Sequence, residues 1–141
     1  MIATLACGVF FGAALYVNLV EHPARISCGV PLAITQWRRS YKRGTWMQPP
    51  LALIGSLSAI SAWRYEGRIV WLVGGLLLLL VIPYSVVVIF PTNKRLESQD
   101  LDLHSDEAAR LLRQWGWLHA IRSMLSGAAF VAFLFAVAVN H

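Results

Sequence analysis

Four stretches of this chain hold no charged residue: 2–20, 44–63, 69–90 and 123–140. Crossing a hydrocarbon core takes about 20 apolar residues in a helix, and a backbone inside lipid must satisfy its own hydrogen bonds. The runs therefore predict an all-α fold, an integral membrane four-helix bundle with spans over about residues 2–21, 49–63, 69–90 and 106–139. The whole chain, 1–141, is expected to be a single membrane domain. Its 57% hydrophobic and 13% charged content is foreign to an ordinary soluble domain.

The first run lacks a basic leader and is longer than the apolar core of a signal peptide, so it is expected to be a retained span. Gly8 and Gly12 form a small-xxx-small pair that invites close helix packing. Cys7 and Cys28 lack the CxxC spacing of redox or metal motifs and are read as free thiols. A net charge of +5 excludes nucleic acid as a partner rather than implying it, because the cations cluster between apolar runs, where membrane topology places them. Nine Lys and Arg (Arg25, Arg38, Arg39, Lys42, Arg43, Lys94, Arg95, Arg110, Arg113) fall in the connectors after spans one and three, against Arg64 and Arg68 in the middle turn. Both long connectors are then cytoplasmic, and both termini lie outside a cell inner (cytoplasmic) membrane.

The connectors carry their own signals. Pro23 is expected to break or kink the end of span one. Residues 26–48 contain Trp37-Arg38-Arg39-Ser40-Tyr41-Lys42-Arg43, basic and aromatic together, which fits a short interfacial helix on anionic headgroups or, equally, a solvated loop face. Pro49-Pro50 stands near the start of span two, where Ala52, Ser56 and Ala59 offer a small-residue face. Pro83 is expected to kink span three. Ser105 can cap the last helix, with Asp106 and Glu107 in its first turn. No internal symmetry is evident among the four spans.

Trp115, His119 and Arg122 share one face of that last helix at the start of an apolar run. Ionisable groups at membrane depth face a bundle interior or a watery cavity. His22, Asn93, His119 and Arg122 are all expected near the cytoplasmic interface of one bundle, with Glu21 and the Asn93 carbonyl group as partners for Arg122.

Taken together, Glu21-His22-Pro23-Ala24-Arg25, Trp37-Arg38-Arg39-Ser40-Tyr41, Pro91-Thr92-Asn93-Lys94-Arg95-Leu96 and Trp115 to Arg122 resemble the anthrone oxygenase-like family, also called the domain of unknown function 1772 family. The chain looks like its bacterial members. The resemblance implies a four-span membrane protein, and its fungal members look like oxygenases that convert polyketide anthrones to anthraquinones with molecular oxygen.

Such a reaction asks for a base that forms the substrate enolate and a cation that holds it. His119 or His22 is the expected base and Arg122 the oxyanion partner. Asn93 completes the catalytic set, and Arg25, Trp115, Trp37 and Tyr41 are the expected substrate-binding residues. No cofactor is then obligatory, and the partners are the lipid bilayer and a lipophilic small molecule. Three other readings compete. The polar groups could merely satisfy one another. Haem or a transition metal could sit on His22, His119 and Glu21. The chain could also be a homo-oligomer or a small structural subunit of a membrane complex.

Overall fold

A computed structural model describes residues 1–139, and within them every regular element is helical. Asn140, where the last uncharged run ends, lies outside the described residues. In chain order the elements are α1 (Ile2–Tyr16), a π-helical turn (Val17–Glu21), α2 (His22–Ser27), α3 (Val30–Glu66), α4 (Ile69–Tyr84), a second π-helical turn (Ser85–Ile89), α5 (Phe90–Glu97) and α6 (Asp106–Ala138). Four rods form a ring in which α1 packs on α3, α3 on α4, α4 on α6 and α6 on α1. Three of them, Ile2–Ser27, Ile69–Glu97 and Asp106–Ala138, are long and apolar enough to cross a membrane.

Side-chain size is sorted in a way compatible with a lipid solvent. Ala3, Ala6, Cys7, Ala14, Ala52, Ser56, Ala59, Gly74, Gly75, Ser126, Ala129 and Ala136 are buried, while Leu5, Val9, Leu19, Leu57, Leu76, Leu80, Val131 and Phe135 are exposed. Lipid tails give no hydrophobic drive to hide leucine, so small residues take the interfaces and let backbones approach. At Gly74 an added Cβ would lie 2.5 Å from the Phe133 ring, and at Gly55 2.7 Å from Leu78. Of the Gly8/Gly12 pair only Gly8 is used this way, with Phe130 2.9 Å from a Cβ there. Gly12 has open space around it.

Three expectations need correction. Residues 30–48 are helical, but they do not form a separate interfacial helix: they run without a break through Pro49-Pro50 to Glu66, a rod about 55 Å long. The carbonyls that these prolines leave without a donor belong to Thr45 and Trp46, both exposed, so neither is stranded inside the bundle. Pro23 does not end the first helix either. The chain turns at Cys28-Gly29, where Gly29 takes φ 89°, a conformation that favours glycine.

The third correction concerns symmetry. The N–H of His22 bonds the carbonyl of Val17, and that of Phe90 bonds the carbonyl of Ser85, each five residues back rather than four. Each wide turn stands one residue before a proline, Pro23 or Pro91, whose ring would crowd the carbonyl four residues upstream in a regular helix. Tyr16 and Tyr84 precede these prolines by the same interval, and Arg25 and Asn93 follow them by the same interval. The first and third rods, opposite in the ring, therefore carry one repeated device.

That device positions the site. Below it, Phe10, Trp71, Leu78, Val81 and Phe133 build one apolar cluster. Beyond it, Ala33, Ile34, Trp37, Leu96, Leu112 and Trp115 build a second. Ser105 caps α6 as expected, its Oγ accepting the Ala108 N–H at 3.2 Å, and Arg38 holds the carbonyls of Leu96 and Ser98 at the end of α5. Cys7 and Cys28 are both free.

Candidate active site

Between the two clusters lies a cavity of about 540 Å³, within the size range of small-molecule sites. Its wall includes Glu21, Arg25, Trp37, Tyr41, Asn93, Trp115, His119 and Arg122, drawn from every rod of the bundle. All but one of the residues singled out in the sequence thus converge. The exception is His22, which is buried but does not line the cavity.

His22 faces α6. Its Nε2 lies 3.0 Å from the Leu112 carbonyl, so that nitrogen carries the proton and donates, and its Nδ1 is buried without a partner. The ring packs on Trp115 at 5.0 Å between centroids. It fits there because residue 116 is glycine: a Cβ at Gly116 would stand 2.7 Å from Nε2. The Trp-Gly-Trp motif is accordingly a seat for His22, and His22 is not a base presented to the cavity.

His119 is placed differently. Asn18 donates through Nδ2 to the Gly116 carbonyl at 3.2 Å, which fixes its Oδ1 as the acceptor for Ser123 Oγ at 2.6 Å and for His119 Nδ1 at 2.7 Å. The Nδ1 of His119 therefore carries the proton. In the neutral ring Nε2 keeps its lone pair, and that nitrogen makes no hydrogen bond to any described residue. Trp115 packs against the ring at 4.7 Å. A histidine oriented through one nitrogen and open at the other is the arrangement of a general base.

The cations are held by different partners from those expected. Glu21 pairs with Arg25 and also accepts from Gln36 at 2.8 Å, while Arg25 reaches Ser40 at 3.3 Å and lies 5.7 Å over the Trp115 ring. Arg122 is bound by neither Glu21 nor Asn93. It donates to Gln48 Oε1 and sits over the Phe10 ring, 4.9 Å from its centroid. Asn93 Oδ1 and Trp37 Nε1 are buried without partners, and Trp37 stacks on Tyr41 at 4.9 Å and meets Trp115 edge-on at 5.8 Å.

His22, His119 and Glu21 do not come together as a metal-ligand group. Among the described residues no three His, Cys, Asp or Glu side chains come together as a ligand group. His22 spends Nε2 on Leu112, and Glu21 is engaged by Arg25 and Gln36.

Asn18, Gln48 and Ser123 are functional candidates that the sequence reading passed over. The available signal was a neutral amide, Asn18 or Gln48, inside each of two otherwise uncharged runs. The cavity mouth was not legible either. Tyr16, Met47, Val86 and Phe90 line the cavity and are exposed, and all four belong to uncharged runs.

The family profile described as Anthrone oxygenase matches residues 37–132, from the Trp37 stack through the whole Trp115 to Arg122 face. A noranthrone monooxygenase from Aspergillus flavus is 27% identical over 137 aligned positions, covering 87% of this chain and 65% of that protein. An anthrone oxygenase from Claviceps purpurea is 27% identical over 139 positions, covering 88% of this chain and 80% of that protein. This chain thus spans about two thirds of the Aspergillus relative's length. No solved structure shows significant similarity. The family profile covers well over half of the sequence and carries the assignment: this chain belongs to the anthrone oxygenase family.

Proposed function

We propose that this chain is a membrane-embedded monooxygenase acting with O2 on a flat, lipophilic aromatic or quinone-like substrate of the anthrone type. The observation that carries the reading is His119, locked by Asn18 through Nδ1 with its Nε2 lone pair open in a wall of the cavity, on the same helix as Arg122. The names of the two fungal relatives agree with it.

In this scheme the substrate lies against Trp115, and His119 Nε2 removes a proton from its acidic ring carbon. The electron pair moves onto the carbonyl oxygen, and Arg122 holds the resulting enolate. The enolate carbon gives two electrons to O2, forming a C–O bond and, with the proton returned, a hydroperoxide. Loss of the second hydrogen from the same carbon breaks the O–O bond and releases water. The balance is one CH2 and one O2 giving one C=O and one H2O, with no external reductant. Arg25, Trp37, Tyr41 and Asn93 bind and orient the ring system, and Gln48 aims Arg122.

The same proposal places the protein in the cytoplasmic membrane as one membrane domain, with both termini outside and the site near the cytoplasmic interface. The nine-to-two cation bias supports that orientation. Oxygen uptake by the detergent-purified protein on addition of a lipophilic anthrone tests the function. Stoichiometric O2 loss and anthraquinone formation above the spontaneous rate are expected. A rate equal to that of heat-denatured protein would end the oxygenase reading.

A further inference from the structure

The cavity wall holds more positive than negative charge. It contains two guanidinium groups, Arg25 and Arg122, and a single carboxylate, Glu21. Glu21 is already paired with Arg25. The partners of Arg122 are both neutral, the Gln48 amide oxygen and the Phe10 ring, and its Nε is buried with no partner at all. No other acidic side chain among the described residues lines the cavity. His119 adds no negative charge, since it presents a neutral lone pair. A cation inside a bundle is costly unless an anion meets it, and here the protein supplies only a dipole and a quadrupole.

We propose that the ligand of this cavity binds as an anion: a flat lipophilic weak acid, carboxylic or phenolic, whose ionised oxygen rests on Arg122 and supplies the missing counter-charge. This rests on the cavity being the substrate site and goes further by naming the charge state that the site selects. Gln48 holds the guanidinium in place without neutralising it, so the amide is essential to the selectivity. A glutamate at that position would close the pair internally and remove the demand for an anion.

The test uses the full chain in phosphatidylcholine nanodiscs and two probes of nearly one shape, anthraquinone-2-carboxylate and anthraquinone-2-carboxamide. Binding is read by quenching of tryptophan fluorescence and corrected against empty nanodiscs. The carboxylate is expected to bind about tenfold tighter or more, because charge-assisted hydrogen bonds are roughly twice as strong as neutral ones. Arg122→Gln should bring the two affinities together. Should that variant fail to fold, Gln48→Glu provides the second arm: it should lose the preference for the carboxylate over the carboxamide. Equal affinities in the unaltered protein, or a preference that survives Gln48→Glu, would overturn the proposal. Competition by phosphatidylglycerol added to the bilayer would also overturn it, assigning the anion to a lipid headgroup. Neither probe has the reacting CH2, so a failure here leaves the oxygen-uptake result standing on its own.

Discussion

Asn18 and His119 come from the first and last spans, 101 positions apart, and meet through a 2.7 Å hydrogen bond that leaves the outer imidazole nitrogen open. Both reach Ser123: its Oγ bonds Asn18 Oδ1 at 2.6 Å and the His119 carbonyl at 3.1 Å. Under the proposed function His119 is a base, useful only in the right tautomer and orientation, and Asn18 sets both. His119→Ala should lower anthrone-dependent oxygen uptake by about 10²-fold or more, the usual contribution of general-base catalysis, with little change in thermal stability. Asn18→Leu removes the orienting acceptor and should cost less than His119→Ala, mainly in kcat. If it leaves kcat untouched, the ring does not need that bond.

Gly116 and His22 make a second coupled pair, with 2.7 Å between His22 Nε2 and the place a Cβ would occupy. Gly116→Ala should therefore destabilise the protein although alanine is the better helix former, because His22 must leave the Leu112 carbonyl. A loss of about 1–3 kcal/mol is expected from the stranded group. The double variant Gly116→Ala/His22→Ala should be less destabilised than the sum of its parts, as a double-mutant cycle in detergent would read. Strict additivity would show that the two residues do not press on each other.

Helicity and the convergence of the polar residues were legible in the sequence because they follow from charge-free run lengths and from the expense of burying ions. Partner choice was not. Arg122 was matched to Glu21 on charge alone, whereas the helical rise past the Val17–Glu21 π-turn brings Glu21 to Arg25 and Gln36 and leaves Gln48 for Arg122. The continuity of α3 was also hidden, since a Pro-Pro pair ordinarily marks a helix start, and it is tolerated inside α3 where the carbonyls it frees belong to exposed residues. His22 looked like a second base because sequence gives its place beside the polar cluster but not which way its ring turns.

The Glu21–Arg25 pair allows a stability test. Arg25 is 5% exposed and the Glu21 side chain 23%, so the pair is largely but not wholly withdrawn from solvent. Arg25→Gln should strand Glu21 and cost somewhat less than the about 3–5 kcal/mol typical of breaking a fully buried pair. Adding Glu21→Gln should recover part of that loss in detergent thermal melts. A double variant no more stable than Arg25→Gln alone would mean that packing of Arg25 over Trp115, rather than its charge pairing, is what the fold uses.

The last test concerns access. Gly44 and Met47 on α3 and Val86 and Phe90 on the third rod form the accessible rim of the cavity, and exposed Tyr16 also lines it. These rim residues belong to uncharged runs, so under the proposed embedding the mouth faces acyl chains and a lipophilic substrate arrives sideways from the bilayer. Gly44 has nothing within 4 Å of a Cβ built on it, so a larger side chain there has room without disturbing the core. Gly44→Trp should leave the melting temperature nearly unchanged while lowering kcat/KM about tenfold or more, as obstruction of a route with no effect on chemistry acts on capture. A Cys28→Ser/Val86→Cys protein in liposomes supplies the companion reading: the new thiol should react with a lipophilic maleimide and resist a water-soluble one. Equal labelling by both reagents, together with full activity of Gly44→Trp, would place the mouth in water and send the substrate in by another path.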